Sequence, residues 1–192
     1  MQLKYHRITL SLFLGLLLLS LAACGSESPA PLSNHFQGGG ISFNYPSTWK
    51  EWEKQSLGRI RNMMKSQGAD VLTMVKAPDG MAVIQLVKVK NPSPFEDFFR
   101  KKKEAADHVS KKGMEIQGKK FVKYEVTVVT LSNNLKAILG NAEDSIGEKA
   151  VSYQFLVNGY EYDFNFIYKN KRAFDKYDPV NRKVIETVKF QK

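Results

Sequence analysis

The chain has 192 residues, of which 43% are hydrophobic and 11% are aromatic. This composition supplies enough apolar surface for a buried core and excludes an intrinsically disordered protein. The net charge of +10 favours anionic partners, and the single cysteine, Cys24, excludes an intrachain disulfide.

The first 23 residues have the pattern of an export signal. Lys4 and Arg7 precede an apolar stretch over residues 8–23, which is shorter than the ~20 residues that span a bilayer. The stretch runs into Leu21-Ala22-Ala23-Cys24, a sequence that resembles the lipobox of bacterial lipoproteins. The resemblance implies cleavage before Cys24 and lipid on its sulfur, so that acyl chains hold the protein on a membrane.

The predicted export limits the anionic partners of this basic protein to those found in the cell envelope. Removal of residues 1–23 lowers the net charge from +10 to +8. We expect contact with an envelope protein or with an anionic lipid or polymer, and no nucleic acid; the oligomeric state stays open. Gly25 replaces the aspartate that retains some lipoproteins in the inner membrane. This favours the periplasmic face of the outer membrane in a two-membrane cell, and otherwise the outer face of the cell membrane.

Residues 24–40 separate the export signal from the domain. They are rich in Ser, Pro and Gly and have no apolar period, which predicts a flexible tether of roughly 20–24 Å. A single folded domain is then expected over residues 41–192.

Apolar spacing in the domain alternates between strand and helix periods. Ile41, Phe43 and Tyr45 predict a first strand, and Leu57, Ile60 and Met64 a first helix. Further strands are predicted at residues 71–76, 81–89 and 121–131, a helix from a Ser93 cap to Gly113, and a last helix from Asp178-Pro179.

A hairpin is the clearest local feature. Asn158-Gly159 favours a two-residue turn that places Val157 opposite Tyr160. This register gives residues 151–157 and 160–168 one aromatic face and one polar face. Residues 133–147 instead predict a loop with a short helix. The sum is an α+β fold with an antiparallel sheet.

The opening Phe43-Asn44-Tyr45-Pro46-Ser47-Thr48-Trp49 and the Asn-Gly-Tyr hairpin before a last helix resemble PsbP-like domains. The resemblance covers residues 41–192. It implies a single α/β/α sandwich around an antiparallel sheet, in a family that is usually non-catalytic. Its members include a photosystem accessory subunit, bacterial lipoproteins and eukaryotic transport factors.

Catalytic and metal-binding patterns are missing from the sequence. The only cysteine is assigned to lipid, and His35 and His108 are isolated from any nucleophile motif or zinc-type cluster. We therefore expect neither an enzyme nor a resident cofactor or metal.

Two candidate surfaces remain. The basic residues Arg100, Lys101, Lys103, Lys111 and Lys112 form either a solvated helix face or a contact for anionic headgroups. The polar hairpin residues Gln154, Glu161 and Asp163 form either a solvated sheet face or a ligand or cation site. These alternatives support two functions: a membrane-tethered, non-enzymatic binding or assembly module, or an envelope receptor for a small ligand or cation.

Overall fold

The computed structural model describes residues 30–116 and 119–191, so the predicted export signal and Cys24 lie outside the described residues. The described helices are α1 (Lys54–Lys65), α2 (Phe95–Lys112) and α3 (Lys171–Glu186). The strands are β1 (Asn34–Gly38), β2 (Ile41–Tyr45), β3 (Lys50–Glu51), β4 (Ala69–Lys76), β5 (Ala82–Lys90), β6 (Met114–Ile116), β7 (Lys119–Thr130), β8 (Lys136–Asp144), β9 (Lys149–Val157), β10 (Tyr160–Tyr168) and β11 (Lys189–Phe190).

Eight of these strands form one antiparallel sheet in the order β3-β4-β5-β10-β9-β8-β7-β6. The hairpin of β9 and β10 lies inside it and has the predicted register, with Tyr160 opposite Val157 and Asp163 opposite Gln154. Asn158 and Gly159 both have positive φ, the backbone conformation that a two-residue turn of this kind requires. The hairpin prediction is confirmed.

One face of the large sheet carries the main core. Alternate residues of β9 and β10, among them Phe155, Phe164 and Phe166, are at most 1% exposed and pack with Val184 and Ile185 of α3. A three-stranded sheet in the order β1-β2-β11 covers the same core, and Phe43 of β2 meets Phe164 edge to face at 5.1 Å. Burial of these rings accounts for the aromatic strand pattern.

The opposite face of the large sheet lies under α1 and α2. Leu57 of α1 packs on Val71, Met74 and Val87 in a second, smaller core. Helix α2 lies against β7 and buries Phe98, Ala106 and Val109, which fall at helical spacing on one face. Among the described residues, no helix combines the length and apolar character needed to cross a bilayer.

Two element boundaries in the first half of the chain differ from those predicted from the sequence. Residues 34–38 of the predicted tether form β1, which pairs with β2 from Asn34–Tyr45 to Gly38–Ile41. That part of the tether prediction is wrong, because β1 adds to the small sheet. Ser93 does not cap α2 through its side chain; the helix begins at Phe95 after Pro94, and the Ser93 N–H donates to Asn91 Oδ1.

Two further predictions are corrected in the second half. Residues 136–144 form strand β8 between β7 and β9, where we expected a loop with a short helix. Helix α3 begins at Lys171, before the predicted start at Asp178, because Asn170 Oδ1 caps it by accepting from the Ala173 N–H at 2.9 Å. Pro179 lies within the helix, and neighbouring Tyr177 and Asn181 are buried.

Candidate functional site

The polar face of the β9–β10 hairpin lies beneath α2. Gln154 is 4% exposed and Glu161 is 8% exposed, so the alternative of a solvated sheet face is wrong. The cause is the strand period: residues that alternate with buried Phe155 and Phe164 point to the opposite face, which the helix covers.

An ion pair joins the helix to this face. Lys102 Nζ lies 2.8 Å from Glu161 Oε1, and Asn91 Nδ2 donates to Glu161 Oε2 at 3.3 Å. Burial alone would lower the pKa of Lys102, but the charges of Asp163 and Glu161 outweigh burial and the pKa is raised. Lys102 is therefore a stable cation, and both oxygens of Glu161 have donors.

Asp163 lies next to this pair, and one of its two carboxylate oxygens has no donor among the described residues. Its Oδ1 is inaccessible to solvent and has no hydrogen-bond partner among the described residues, and the same holds for Gln154 Oε1. Burial raises the pKa of Asp163 to about 6, and the charge of Glu161 adds to the rise. The charge of Lys102 and the Gln154 side chain act in the opposite direction. The sheet thus presents two buried acceptor oxygens from neighbouring strands.

A cavity of about 250 Å³ is lined in part by Gln154, and we call it the α2 cavity. Small residues form its floor, apolar residues its wall and polar residues its remaining side. The floor is Gly140, Ala142, Ala150 and Ser152; the wall is Val109 and Phe121; the polar side is Tyr124, Gln154 and Asn165.

The open space depends on small side chains in β8 and β9. A Cβ atom added to Gly140 would lie 2.6 Å from Ser152 Oγ and 3.1 Å from Tyr124 Cε2. The Tyr124 ring therefore passes over β8 at Gly140, where no side chain blocks it. Ala142 and Ala150 are directly paired across β8 and β9, and their short side chains leave the space above the floor open.

The predicted basic surface is the outer face of α2. Arg100, Lys101, Lys103 and Lys111 are exposed. Lys112 belongs to the helix, and its side chain lies outside the described part of the chain. Arg100 lies 3.2 Å from both Asp97 and Glu104, so two carboxylates on the same helix offset its charge. The outer face is consequently less cationic than its run of bases indicates.

The structure brings Gln154, Glu161 and Asp163 together, as the hairpin register predicts, and adds Lys102 and Tyr124 from other elements. Lys102 has the same helical spacing as Phe98, Ala106 and Val109, and this spacing is the one sequence signal for its role. No pattern within β7 indicated Tyr124, because its contact with the hairpin depends on packing between distant elements.

The α2 cavity offers oxygen acceptors and apolar contact surface. Within the described ranges, no three His, Cys, Asp or Glu side chains cluster in a way that could hold a metal ion. His35 and His108 are exposed, on β1 and α2, and neither lines the α2 cavity. The cavity has no histidine beside a hydroxyl nucleophile.

The fold is similar to that of cyanobacterial PsbP (CyanoP) from Synechocystis sp. PCC 6803. The TM-score is 0.52 at 12% sequence identity, over 87% of this chain and 96% of that protein. A crystal structure from Bacteroides thetaiotaomicron VPI-5482 matches 84% of this chain at 17% identity and a TM-score of 0.47, and this chain spans half of that protein's length. No protein-family model and no curated protein sequence matches the chain. The likeness to CyanoP gives the conclusion that the chain has a PsbP-like fold.

Proposed function

We propose that the protein is a lipid-anchored, non-enzymatic binding protein of the cell envelope that takes a small ligand into the α2 cavity. The observation that carries the proposal is Gln154, which lines the cavity, is 4% exposed and leaves Oε1 without a partner among the described residues. A buried amide oxygen without a donor costs roughly 1–3 kcal/mol, which a ligand donor would recover.

The size of the cavity also supports a ligand. Its 250 Å³ corresponds to about eight water volumes, which is well beyond an ordinary packing defect. Apolar residues on one side and a few polar groups on the other are typical of small-molecule sites. We also propose the α/β/α sandwich of PsbP-like domains. It is supported by α3 on one face of the large sheet and by α1 and α2 on the other.

The membrane part of the proposal rests on the sequence. The Leu21-Ala22-Ala23-Cys24 motif supports an acylated cysteine, export and attachment to a membrane surface. Strand β1 begins at Asn34, so the residues between Cys24 and β1 form the proposed connection to lipid. The binding domain would therefore work within a few nanometres of the bilayer.

A second function, assembly with an envelope protein, is supported by the edge of the large sheet. Strand β6 pairs only with residues 119–121 of β7, so the rest of β7 has a strand neighbour on one side within the described chain. Val122 and Val128 on this edge are 45% and 38% exposed. A partner strand could extend the sheet here.

A fragment screen tests the ligand proposal. The protein would be purified from membranes, placed in lipid nanodiscs and screened by thermal unfolding with metals and small metabolites. A cavity ligand at about 100 times its Kd should raise Tm by about 5 °C.

Two matched variants tie such a shift to the cavity. Ala142→Leu fills the floor and should abolish the shift, whereas Ala105→Leu on the exposed side of α2 should keep it. No shift with any compound, or an unchanged shift in Ala142→Leu, would reject the proposed site.

A further inference from the structure

Strand β7 presents backbone groups at the free edge of the large sheet. The Ser110 hydroxyl of α2 donates to the Tyr124 carbonyl oxygen at 3.0 Å and accepts from the Tyr124 N–H at 3.4 Å. The backbone of Tyr124 therefore points away from β8. Pairing with β8 is regular from Tyr124 to Thr130, so every second residue has the same orientation. The N–H and C=O groups of Val126, Val128 and Thr130 thus point outward at the edge.

The outward backbone groups of this segment have no protection. Among the described residues, no hydrogen bond reaches the outward groups of Val126, Val128 or Thr130. Residues 126–130 have the sequence Val-Thr-Val-Val-Thr, in which every residue is β-branched and none is charged. Proteins usually protect an exposed edge strand with lysine, proline or a bulge, and this segment has none of the three. The segment is consequently a ready template for another strand.

The opposite edge of the same sheet is blocked. Strand β3 is two residues long, and both of its residues, Lys50 and Glu51, are charged. Beyond β3, the Arg61 guanidinium donates to the carbonyl oxygens of Val71 and Leu72 in β4. Short length, charge and a capping side chain are the ordinary devices that prevent edge pairing. The fold thus blocks one edge and leaves the other open, which favours a partner at β7.

A second copy of the chain fits this edge. The three outward residues are symmetric about Val128, so a two-fold axis there places Val128 opposite itself and Val126 opposite Thr130 of the second copy. Each such antiparallel pair exchanges two backbone hydrogen bonds, and no outward group of the segment remains unused. An axis at Val126 would instead place Val128 opposite Tyr124, whose backbone groups Ser110 already binds.

The side chains agree with the axis at Val128. In this register Glu125 faces Leu131 and Lys123 faces Asn133, so no like charges lie opposite each other. The Val128 side chain is 38% exposed in the single chain, and its counterpart would cover it. Cross-strand contact between β-branched side chains is a favourable pairing on a sheet.

We propose that two copies of this chain pair antiparallel along residues 126–130 of β7, about a two-fold axis at Val128, and join their large sheets into one. This inference rests on the assembly function proposed for this edge, because it names the partner, and it is independent of the ligand proposed for the α2 cavity. The proposed lipid anchors would hold both copies on one surface and raise their effective concentration.

Single introduced cysteines test the register. Val128→Cys places two cysteines directly opposite each other, at a Cα separation of about 5.5 Å, which a disulfide accepts. Thr127→Cys, at the exposed neighbouring residue, offsets the two cysteines to roughly 7–8 Å, which a disulfide does not bridge. Mild oxidation of the full chain in proteoliposomes should give a covalent dimer from Val128→Cys and none from Thr127→Cys. The native protein, oxidised in the same way, controls for Cys24.

A charge at the axis tests whether the edge holds the dimer. Val128→Lys places two ammonium groups against each other and should abolish the dimer in sedimentation of the detergent-solubilised full chain. Val122→Lys, at a residue 45% exposed on the same strand but outside the paired segment, should leave it dimeric. Thermal unfolding of both variants shows whether each is folded.

The outcomes separate this inference from the proposed functions. A monomeric native protein, or equal cross-linking of Val128→Cys and Thr127→Cys, would overturn the second copy as partner. A cross-link from Val128→Cys to a different envelope protein, with the purified chain monomeric, would also overturn it and leave the assembly function standing. The fragment screen judges the α2 cavity separately.

Discussion

Lys102 Nζ and Glu161 Oε1 are 2.8 Å apart, although 59 residues separate them along the chain. The contact fixes the middle of α2 over strand β10. Only 25% of the Lys102 side chain and 11% of the Glu161 side chain are exposed, so water screens the pair poorly. The position of α2, and with it the roof of the cavity, depends on this pair.

Replacement of Lys102 by Met should destabilise the fold by about 3 kcal/mol, because two carboxylates would remain under the helix without a cation. Lys101→Met, on the exposed side of the same helix, should change stability by less than about 0.5 kcal/mol. Urea unfolding of both variants measures the difference. Equal stability of the two variants would show that the pair does not hold α2.

Asp163 should give the stability a specific pH dependence. Its folded pKa of about 6 lies above its ordinary value of 3.8, so between these values the folded state binds more protons than the unfolded state. Stability contributed by Asp163 is then fully present below about pH 4 and falls by about 3 kcal/mol as pH rises past 6. The facing groups are Lys102 on α2, Tyr124 on β7 and Glu161 on the same strand.

Asp163→Asn tests this sign. The variant should be more stable than the native protein by about 2–3 kcal/mol at about pH 7.5 and nearly equal to it at about pH 4. Urea unfolding at both pH values provides the comparison, with Asp107→Asn as the exposed control. Destabilisation by Asp163→Asn at the higher pH would contradict the assigned pKa direction.

Gly140→Ala should destabilise the protein by about 1–3 kcal/mol, because the new Cβ meets Ser152 Oγ at 2.6 Å and the Tyr124 ring. The same substitution at Gly58 should act in the opposite direction. A Cβ there meets nothing within 4 Å, and alanine stabilises a helix interior by roughly 0.5–1 kcal/mol over glycine. Thermal unfolding of the two variants should give Tm shifts of opposite sign, and Ser152→Ala should partly rescue Gly140→Ala.

Tyr168 joins β10 to α3 through a buried network. Its hydroxyl donates to Asp178 Oδ1 at 3.1 Å and accepts from Asn181 Nδ2 at 2.9 Å. Tyr168→Phe removes the donor to Asp178 Oδ1 and the acceptor of Asn181 Nδ2, and should cost about 2 kcal/mol in chemical unfolding. Tyr160→Phe, at a residue 38% exposed, is the control and should cost less than about 0.5 kcal/mol. A similar loss in both variants would argue against the network.

Cys24→Ala tests the proposed membrane anchor. The native protein should fractionate with membranes, and mass spectrometry should find an acylated cysteine at the mature N-terminus. The variant should lose acylation and leave the membrane fraction, whereas Ser26→Ala should behave like the native protein. Membrane attachment of the variant without acylation would refute the lipobox interpretation.

Elements governed by short-range rules could be predicted. The Asn158-Gly159 turn set the register of β9 and β10, because positive φ at both residues admits one hairpin geometry. Strand β8 was missed because Gly140 and Ala142 replace bulky residues and hide its period of two. The start of α3 was predicted too late because a proline usually marks the first turn of a helix, and Pro179 was taken as that mark. In the structure the helix continues through Pro179, since burial of Tyr177 and Asn181 stabilises the turns on both sides.

Local patterns in the sequence were enough to predict a lipobox-like motif at Cys24, the hairpin, and the shared face of Gln154, Glu161 and Asp163. These features depend on neighbouring residues and on the two-residue period of a strand. Tertiary packing alone places α2 over this face, pairs Lys102 with Glu161, and leaves Asp163 Oδ1 without a donor among the described residues. Desolvation and charge pairing arise between residues far apart in the chain, so the site exists only once the helix has packed on the sheet.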